Sequence, residues 1–319
     1  MVNKIKGKKI LFVCFNFYNY QVEIKNKLEE LEASVDMFEQ VKYTLLYTIL
    51  MRLRLGQWYM KKLANRIFDS CKSNKYDYVL VLEIHQTKPF YQTLRQLQPD
   101  AKFILYYWDS LKFIDYRPYL KFFDKVFSFD IEDSRSNEGI DYLPLFFTDE
   151  YAEIRKNDTT IIYDLLLVAS FSDERYQKIK SFMALNNIDH KRIYVYFRAT
   201  IGIYLLLWLK GYDMAFIGFR KKTQAEIASL YSKSKCILDF SKQQQSGLSM
   251  RTIESMGAGK KLITSNDNLF NEPIYNSNNI LVIKEDIPSD INDFINKDFV
   301  YTDTIDNYSI GNWCINLFL

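Results

Sequence analysis

Histidine is almost missing from this 319-residue chain, which carries only His85 and His190. The four cysteines, Cys14, Cys71, Cys236 and Cys314, are scattered, and no two have metal-ligand or redox spacing. A zinc centre built from His and Cys is therefore excluded. The Asp-x-Asp pair that often holds a divalent cation is also missing, with Asp130-Ile131-Glu132 only a loose relative. No metal and no other cofactor is expected. An excess of one charge is lacking too: the net charge of +3 is too small to argue for nucleic acid. No apolar run approaches the ~18 residues of a spanning helix. Residues 1–10 pass straight into a strand without the apolar stretch of a signal peptide. No repeat of fixed period is present, and no low-complexity tract beyond residues 243–245. A cytoplasmic protein, free or peripheral on the inner face of the membrane, is expected. A reducing compartment fits the cysteines, since Cys14 and Cys236 fall in apolar runs where a buried thiol belongs.

What is present is a globular chain, 48% hydrophobic and 25% charged, long enough for two domains of ordinary size. Short apolar runs predict strands over residues 9–15, 34–38, 78–83, 102–107, 125–129 and 141–146. Several are apolar throughout, as in parallel strands covered on both faces. Helical patterns such as residues 21–31 lie between them. Residues 148–160 are polar and read as a linker. The pattern then restarts, with strands over 165–169, 192–197, 214–219, 236–240, 261–264 and 280–283. Asp173 marks one helix start as its cap. Thr223 with Glu226 forms a capping box, and Ser309 caps a closing helix. The fold class is α/β, with two Rossmann-like doubly wound domains facing a cleft: residues 1–155, residues 156–308, and a C-terminal helix over 309–319. Ligands in such sheets sit beyond the carboxyl ends of the strands.

The richest segment runs from residue 236 to 266. It reads as a buried strand, a polar loop with one glycine, a short helix, a glycine-containing stop and another strand. Ser246 and Gly247 precede the helix, where unpaired backbone N–H groups and the helix dipole favour an anion such as a diphosphate. Arg251 and Glu254, three residues apart, share a helix face. A carboxylate there can accept from two ribose hydroxyls. Gly257 and Gly259 let the helix end close on the next strand. A generic strand–loop–helix unit with a solvated Arg/Glu face has the same spacing.

The string QSGLSMRTIESMGAGKKLITSN resembles the C-terminal signature of bacterial GT-B glycosyltransferases of the group-1-like and CgeB-like kind, a Gly-Leu-Ser/Thr-x-Arg-x-x-Glu run followed by a glycine and an apolar strand. ILYYWDS with LKFIDYRPYLKFFDKVFSFDIEDS resembles the first domain of polysaccharide and lipopolysaccharide transferases. LLLVASFSDERYQKI resembles the start of their nucleotide-binding domain. The resemblance implies transfer of a sugar from a nucleotide-sugar donor to a glycan or lipid-linked acceptor in surface polysaccharide synthesis. It implies that Gly247, Leu248 and Ser249 meet the diphosphate, that Glu254 holds the ribose, and that Gln245, Ser246 and Arg251 line or brace the donor site. Many retaining members have a second glutamate eight positions before the one matched by Glu254. Ser246 stands there, which leaves retention and inversion both open.

Ser170, with Arg175 for bidentate phosphate contact, joins the donor candidates. So do Arg220 and Lys242, with a solvated basic turn the alternative for Arg220. Glu83 and His85, ending a strand, and Asp109 in Trp108-Asp109-Ser110 are candidates for the base that takes the acceptor proton. Asp130 and Asp133 are weaker ones. Aromatic residues make up 16% of the chain, which is high. Part of the excess falls in two basic-aromatic segments, residues 43–68 and 193–219, of the kind that lie in a membrane interface. Core packing is the expectation for the second. A catalytically silent module that binds a partner transferase or membrane is the alternative function. A nucleotide-sugar isomerase of similar architecture is disfavoured for want of acidic and His groups.

Overall fold

Residues Lys9–Phe15 (β1) are apolar through all but the first position and buried from Ile10 onward, the mark of a strand covered on both faces. The structure, a computed structural model, describes residues 4–53, 55–186, 192–240, 246–283 and 291–319. Around β1 the first unit continues with α1 (Tyr20–Glu30), β2 (Ser34–Val41), α2 (Leu45–Arg52), α3 (Gly56–Ser73), β3 (Tyr78–Leu82), α4 (Lys88–Leu97), β4 (Lys102–Tyr107), β5 (Lys125–Ser128), α5 (Ile131–Ser136) and β6 (Asp141–Tyr142). Its strands pair in parallel in the order β2-β1-β3-β4-β5-β6. The helices cover the sheet with single apolar stripes. On α3 these are Leu63, Ala64, Ile67 and Cys71, and each large side chain so buried contributes about 1.5–3 kcal/mol.

The second unit holds α6 (Asp149–Lys156), β7 (Tyr163–Ser170), α7 (Asp173–Leu185), β8 (Ile193–Arg198), α8 (Ile201–Leu209), β9 (Ile217–Gly218), α9 (Gln224–Ser232), β10 (Ser234–Asp239), α10 (Met250–Gly257), β11 (Lys261–Thr264), β12 (Ile280–Val282) and α11 (Asn292–Asn296). Its parallel order is β12-β11-β10-β7-β8-β9. The last helix, α12 (Ile310–Leu317), returns to the first unit, where it packs on α1 and sets Trp313 edge-on to Tyr106 at 4.8 Å. The units are residues Met1–Leu145 with Ile310–Leu319, and residues Phe146–Ser309. Both sheets are doubly wound. Each has one switch point, where strand order reverses: between β1 and β3 in the first unit, between β7 and β10 in the second.

Several local expectations change. The polar stretch from residue 148 contains α6, anchored by buried Tyr151 edge-on to Tyr231 at 5.1 Å. Tyr151 is the one fully buried residue of a helix otherwise half-buried or exposed, and polarity alone hid it. The division between the units accordingly falls at residue 145/146, ahead of α6. The cap of α7 is Ser172, whose hydroxyl accepts from Arg175 N at 3.3 Å, not Asp173. The capping box at Thr223 and Glu226 is present. Of residues 214–219 only Ile217–Gly218 is strand, because Asp213 caps a 3-10 turn over Met214–Phe216. All four cysteines are buried thiols outside any disulfide, and burial pushes the Cys71 thiol up to about 12. Residues 193–219 do not all pack in the core. Ile193, Val195 and Phe197 fill the sheet interior, whereas along α8 only Leu207 is buried.

Candidate active site

In the first unit, the loops after β1 and β3 flank the switch point, and the sequence candidates meet there. Glu83 follows β3 directly and is buried. Its backbone has φ +58°, a left-handed conformation that a non-glycine residue adopts at a cost of about 1–3 kcal/mol. Hydrogen bonds hold it there. Glu83 N donates to Tyr106 O at 3.0 Å, and the Gln40 amide donates to Leu82 O and Glu83 O at 3.0 and 2.9 Å. Gln40 Oε1 accepts from Tyr91 Oη at 2.9 Å, and Gln40 O accepts from the Gln86 amide at 2.8 Å. Gln40 owes its inward direction to a bulge. Cys14 pairs with Glu39 and Phe15 with Val41, so Gln40 is the extra residue and its side chain is fully buried.

The His85 ring lies with Nε2 3.3 Å from Glu83 Oε2, at ion-pair distance without hydrogen-bond alignment. Its Nδ1 shares a hydrogen bond with Tyr43 Oη at 3.1 Å. Asp109 is half-buried. Burial first, and then the Glu83 carboxylate, raise its pKa above the ordinary aspartate value, while His85 pulls the other way. Aromatic rings close around the group. Phe15 meets His85 edge-on at 4.7 Å, and Phe17, exposed at the rim, sits 5.4 Å from Trp108. Glu83, His85 and Asp109 thus form one electrostatically connected cluster. Asp130 and Asp133 are buried at the start of α5. Asp130 caps α5, and Asp133 accepts from Ser110, Ser128 and Leu111 N.

In the second unit, the carboxyl ends of β7 and β10 meet the start of α10. Asp239, the last residue of β10, is fully buried and organises the junction. Its Oδ1 receives Arg251 Nε at 2.9 Å and the second guanidinium nitrogen at 2.7 Å. Its Oδ2 accepts from Ser249 Oγ and from Thr252 Oγ1, the latter at 3.2 Å. Burial alone would raise the Asp239 pKa. The charge of Arg251 and the hydroxyl of Ser249 outweigh it and hold the carboxyl below its ordinary value. Ser249 also caps α10, accepting from Thr252 N at 3.2 Å. Across the switch point Arg175 donates to Phe240 O at 2.8 Å and to Ser170 O at 2.7 Å, tying β10 to β7. Two of its donor nitrogens thus serve the scaffold.

Ser246, Gly247 and Leu248 form the buried approach to α10, and Gly247 O accepts from the Asn266 amide at 3.3 Å. Glu254 is buried, with Oε2 3.5 Å from Tyr231 Oη. A Cβ on Gly257 would stand 2.4 Å from the Phe147 ring, and Gly259 has φ +64°, so both glycines are needed where the helix stops. Ser170 is exposed at the end of β7. Arg220 is exposed and paired with Glu226 at 2.5 Å. Lys242 and Gln245 lie outside the described residues, as does His190. Among the described residues no group of three His, Cys, Asp or Glu side chains could hold a metal ion.

Gln40 and Asp239 were absent from the sequence candidates. For Asp239 a signal exists: an acid ending an apolar strand, ten residues before a Ser-x-Arg-Thr helix start. For Gln40 there is none short of the bulge.

No protein-family model matches the chain, and no curated protein does. Solved structures do. The apo lipopolysaccharide outer core galactosyltransferase WaaB superposes with a TM-score of 0.56 at 11% identity, over 97% of this chain and 98% of its own. The UDP-GlcNAc 2-epimerase of Methanocaldococcus jannaschii gives 0.59 at 15% identity, over 97% and 98%. HepE of Anabaena, solved with UDP and glucose, gives 0.51 at 12% identity, over 97% and 94%. The chain has the two-domain α/β fold of the GT-B glycosyltransferases, which the epimerase shares.

Proposed function

We propose that this chain is a glycosyltransferase that moves a sugar from a nucleotide-sugar donor to a hydroxyl of a glycan or lipid-linked acceptor in bacterial surface polysaccharide synthesis. The observation that carries this reading is the start of α10, held at the second unit's switch point by Asp239 and Arg251 and bearing the Gly247–Glu254 signature. Backbone N–H groups at that helix start favour the donor diphosphate and need no metal to do so. Arg251 adds positive charge and Glu254 takes the ribose hydroxyls. Ser170, the last residue of β7, and Lys242, three residues past the end of β10 in the sequence, fall within the same reading.

In the first unit, Glu83 takes the acceptor proton if transfer inverts, His85 orients the acceptor, and Asp109 is the competing base. The fixed backbone of Glu83 supports the choice, since strain is tolerated where a group must be held in position. Peripheral membrane contact suits a lipid-linked acceptor. It is supported by exposed Ile49, Met51, Leu53, Leu55 and Trp58 around the α2–α3 turn.

The test is a panel of UDP-, GDP-, dTDP- and CMP-sugars, with nucleotide release and sugar products followed with and without acceptor, beside thermal shift with the free nucleotides. Acceptor-dependent nucleotide release is expected. A sugar epimerised at C2 without acceptor would move the chain to the epimerase class. Nucleotide binding without turnover would make it a silent module, and no thermal shift with any nucleotide would overturn the donor site.

A further inference from the structure

Helix α8 is built in a way that water does not favour. Residues Ile201–Leu209 read IGIYLLLWL, without one charged side chain. Ile201, Ile203, Leu205, Leu206, Trp208 and Leu209 are all exposed, Trp208 at 62% and Leu209 at 74% of full accessibility. Only Leu207 is buried in the unit's core, with Tyr204 partly packed against it. At about 100° per residue the exposed apolar positions cover roughly 220° of the helix circumference. A surface helix that packs on a protein shows an apolar stripe on one side and polar residues on the other. Here both the inner and the outer sides are apolar.

We infer that α8 is a lipid-embedding element by which the second unit lies on an anionic bilayer surface. A protein partner or a second copy would cover one stripe and leave the rest of the arc in water, whereas acyl chains surround the arc whole. At about 1.5 Å per residue α8 is about 14 Å long, too short to span and suited to lying in the interface. Trp208 near its end is a residue favoured at headgroup depth. The flanking charge matches an anionic surface. Residues 193–222 contain Arg198, Lys210, Lys221 and Lys222, beside Arg220 in its pair with Glu226, against the single acid Asp213. Phe219 joins the basic turn to the helix, its ring 5.3 Å from Tyr204 and its side chain exposed. The nearby acids of other elements are engaged: Asp173 accepts from Tyr212 Oη at 2.6 Å, and Glu226 pairs with Arg220. The inference stands independently of the transfer reaction.

The experiment is flotation of the full chain with vesicles of phosphatidylcholine alone and mixed with phosphatidylglycerol. It compares the parent, Leu206→Glu with Leu209→Glu, and Leu53→Glu with Leu55→Glu in the first unit. A cooperative thermal unfolding transition followed by circular dichroism checks that each variant is folded, and sedimentation without vesicles reads the oligomeric state. The parent should bind the mixed vesicles and lose part of that binding in salt. The α8 variant should lose about tenfold or more in bound fraction while remaining the same size as the parent. Tryptophan emission should be quenched by brominated lipid in the parent and less so in Trp208→Phe, where exposed Trp58 of the first unit remains. The inference is overturned if the parent does not float. It is also overturned if only the Leu53/Leu55 variant loses binding, or if the parent sediments as a dimer that the α8 variant dissolves.

Discussion

The two units share a winding and a switch point but furnish it with opposite chemistry. In the first unit the crevice is aromatic, and its ionisable groups Glu83, His85 and Asp109 act on one another. In the second, a buried carboxylate is matched by a guanidinium and two hydroxyls. Burial and the Glu83 carboxylate raise the proton affinity of Asp109. Matching lowers that of Asp239 and fixes geometry, as recognition of a charged ligand demands. Under the proposed function, one fold separates reactive and binding duties by how it surrounds the charged groups at each switch point.

The largest expected effect tests the reactive half. Glu83→Gln keeps shape and removes the base, so inverting transfer should fall by about 10²–10⁴-fold with nucleotide affinity unchanged. If Asp109→Asn shows the loss and Glu83→Gln does not, the base is Asp109. If both retain turnover, the reaction retains configuration and the donor phosphate takes the proton.

The next tests the matched half. Asp239→Ala leaves Arg251 without its partner, a loss of about 3–5 kcal/mol for a buried pair broken on one side. Urea unfolding should show it in the transition of the second unit. A midpoint unchanged from the parent would mean that the pair does not hold α10. Glu254→Ala should follow with a smaller effect, weakening nucleotide binding by about 1–3 kcal/mol through lost ribose hydrogen bonds. Equal affinities in parent, Glu254→Ala and Arg251→Ala, measured by calorimetry, would remove both from the donor site.

How far the sequence reached differs between the halves for a physical reason. The parallel strands were legible because both faces are buried, so apolar runs such as Lys9–Phe15 and Lys102–Tyr107 end where the strands end. The start of α10 was legible because its chemistry is local: cap, arginine and glutamate lie within six residues. Gln40 was illegible because its role depends on a bulge and on pairing across more than forty residues. The second aromatic segment was read as core from its composition. Burial is decided by how much interior β8 leaves, which composition does not contain.

The smallest effect sharpens the comparison through pH. Asp239 has its folded pKa held below the ordinary 3.8. Between the two values the unfolded chain binds more protons, so stability rises with pH. Its contribution is complete above the ordinary value and is lost as pH falls through the lowered one. Asp109 is shifted the other way, its folded pKa raised above 3.8 by burial and by Glu83. There the folded chain binds more protons, so stability declines as pH rises from 3.8 through the raised value, and the ionised carboxylate is a cost above it. Urea stability of Asp109→Asn minus that of the parent, followed across the acid range, should therefore increase as pH rises. The same difference for Asp239→Asn should become more negative over its own, lower window. Trends with pH in the same direction for both variants would mean that the two switch points are electrostatically alike, and the division of labour between the units would fail.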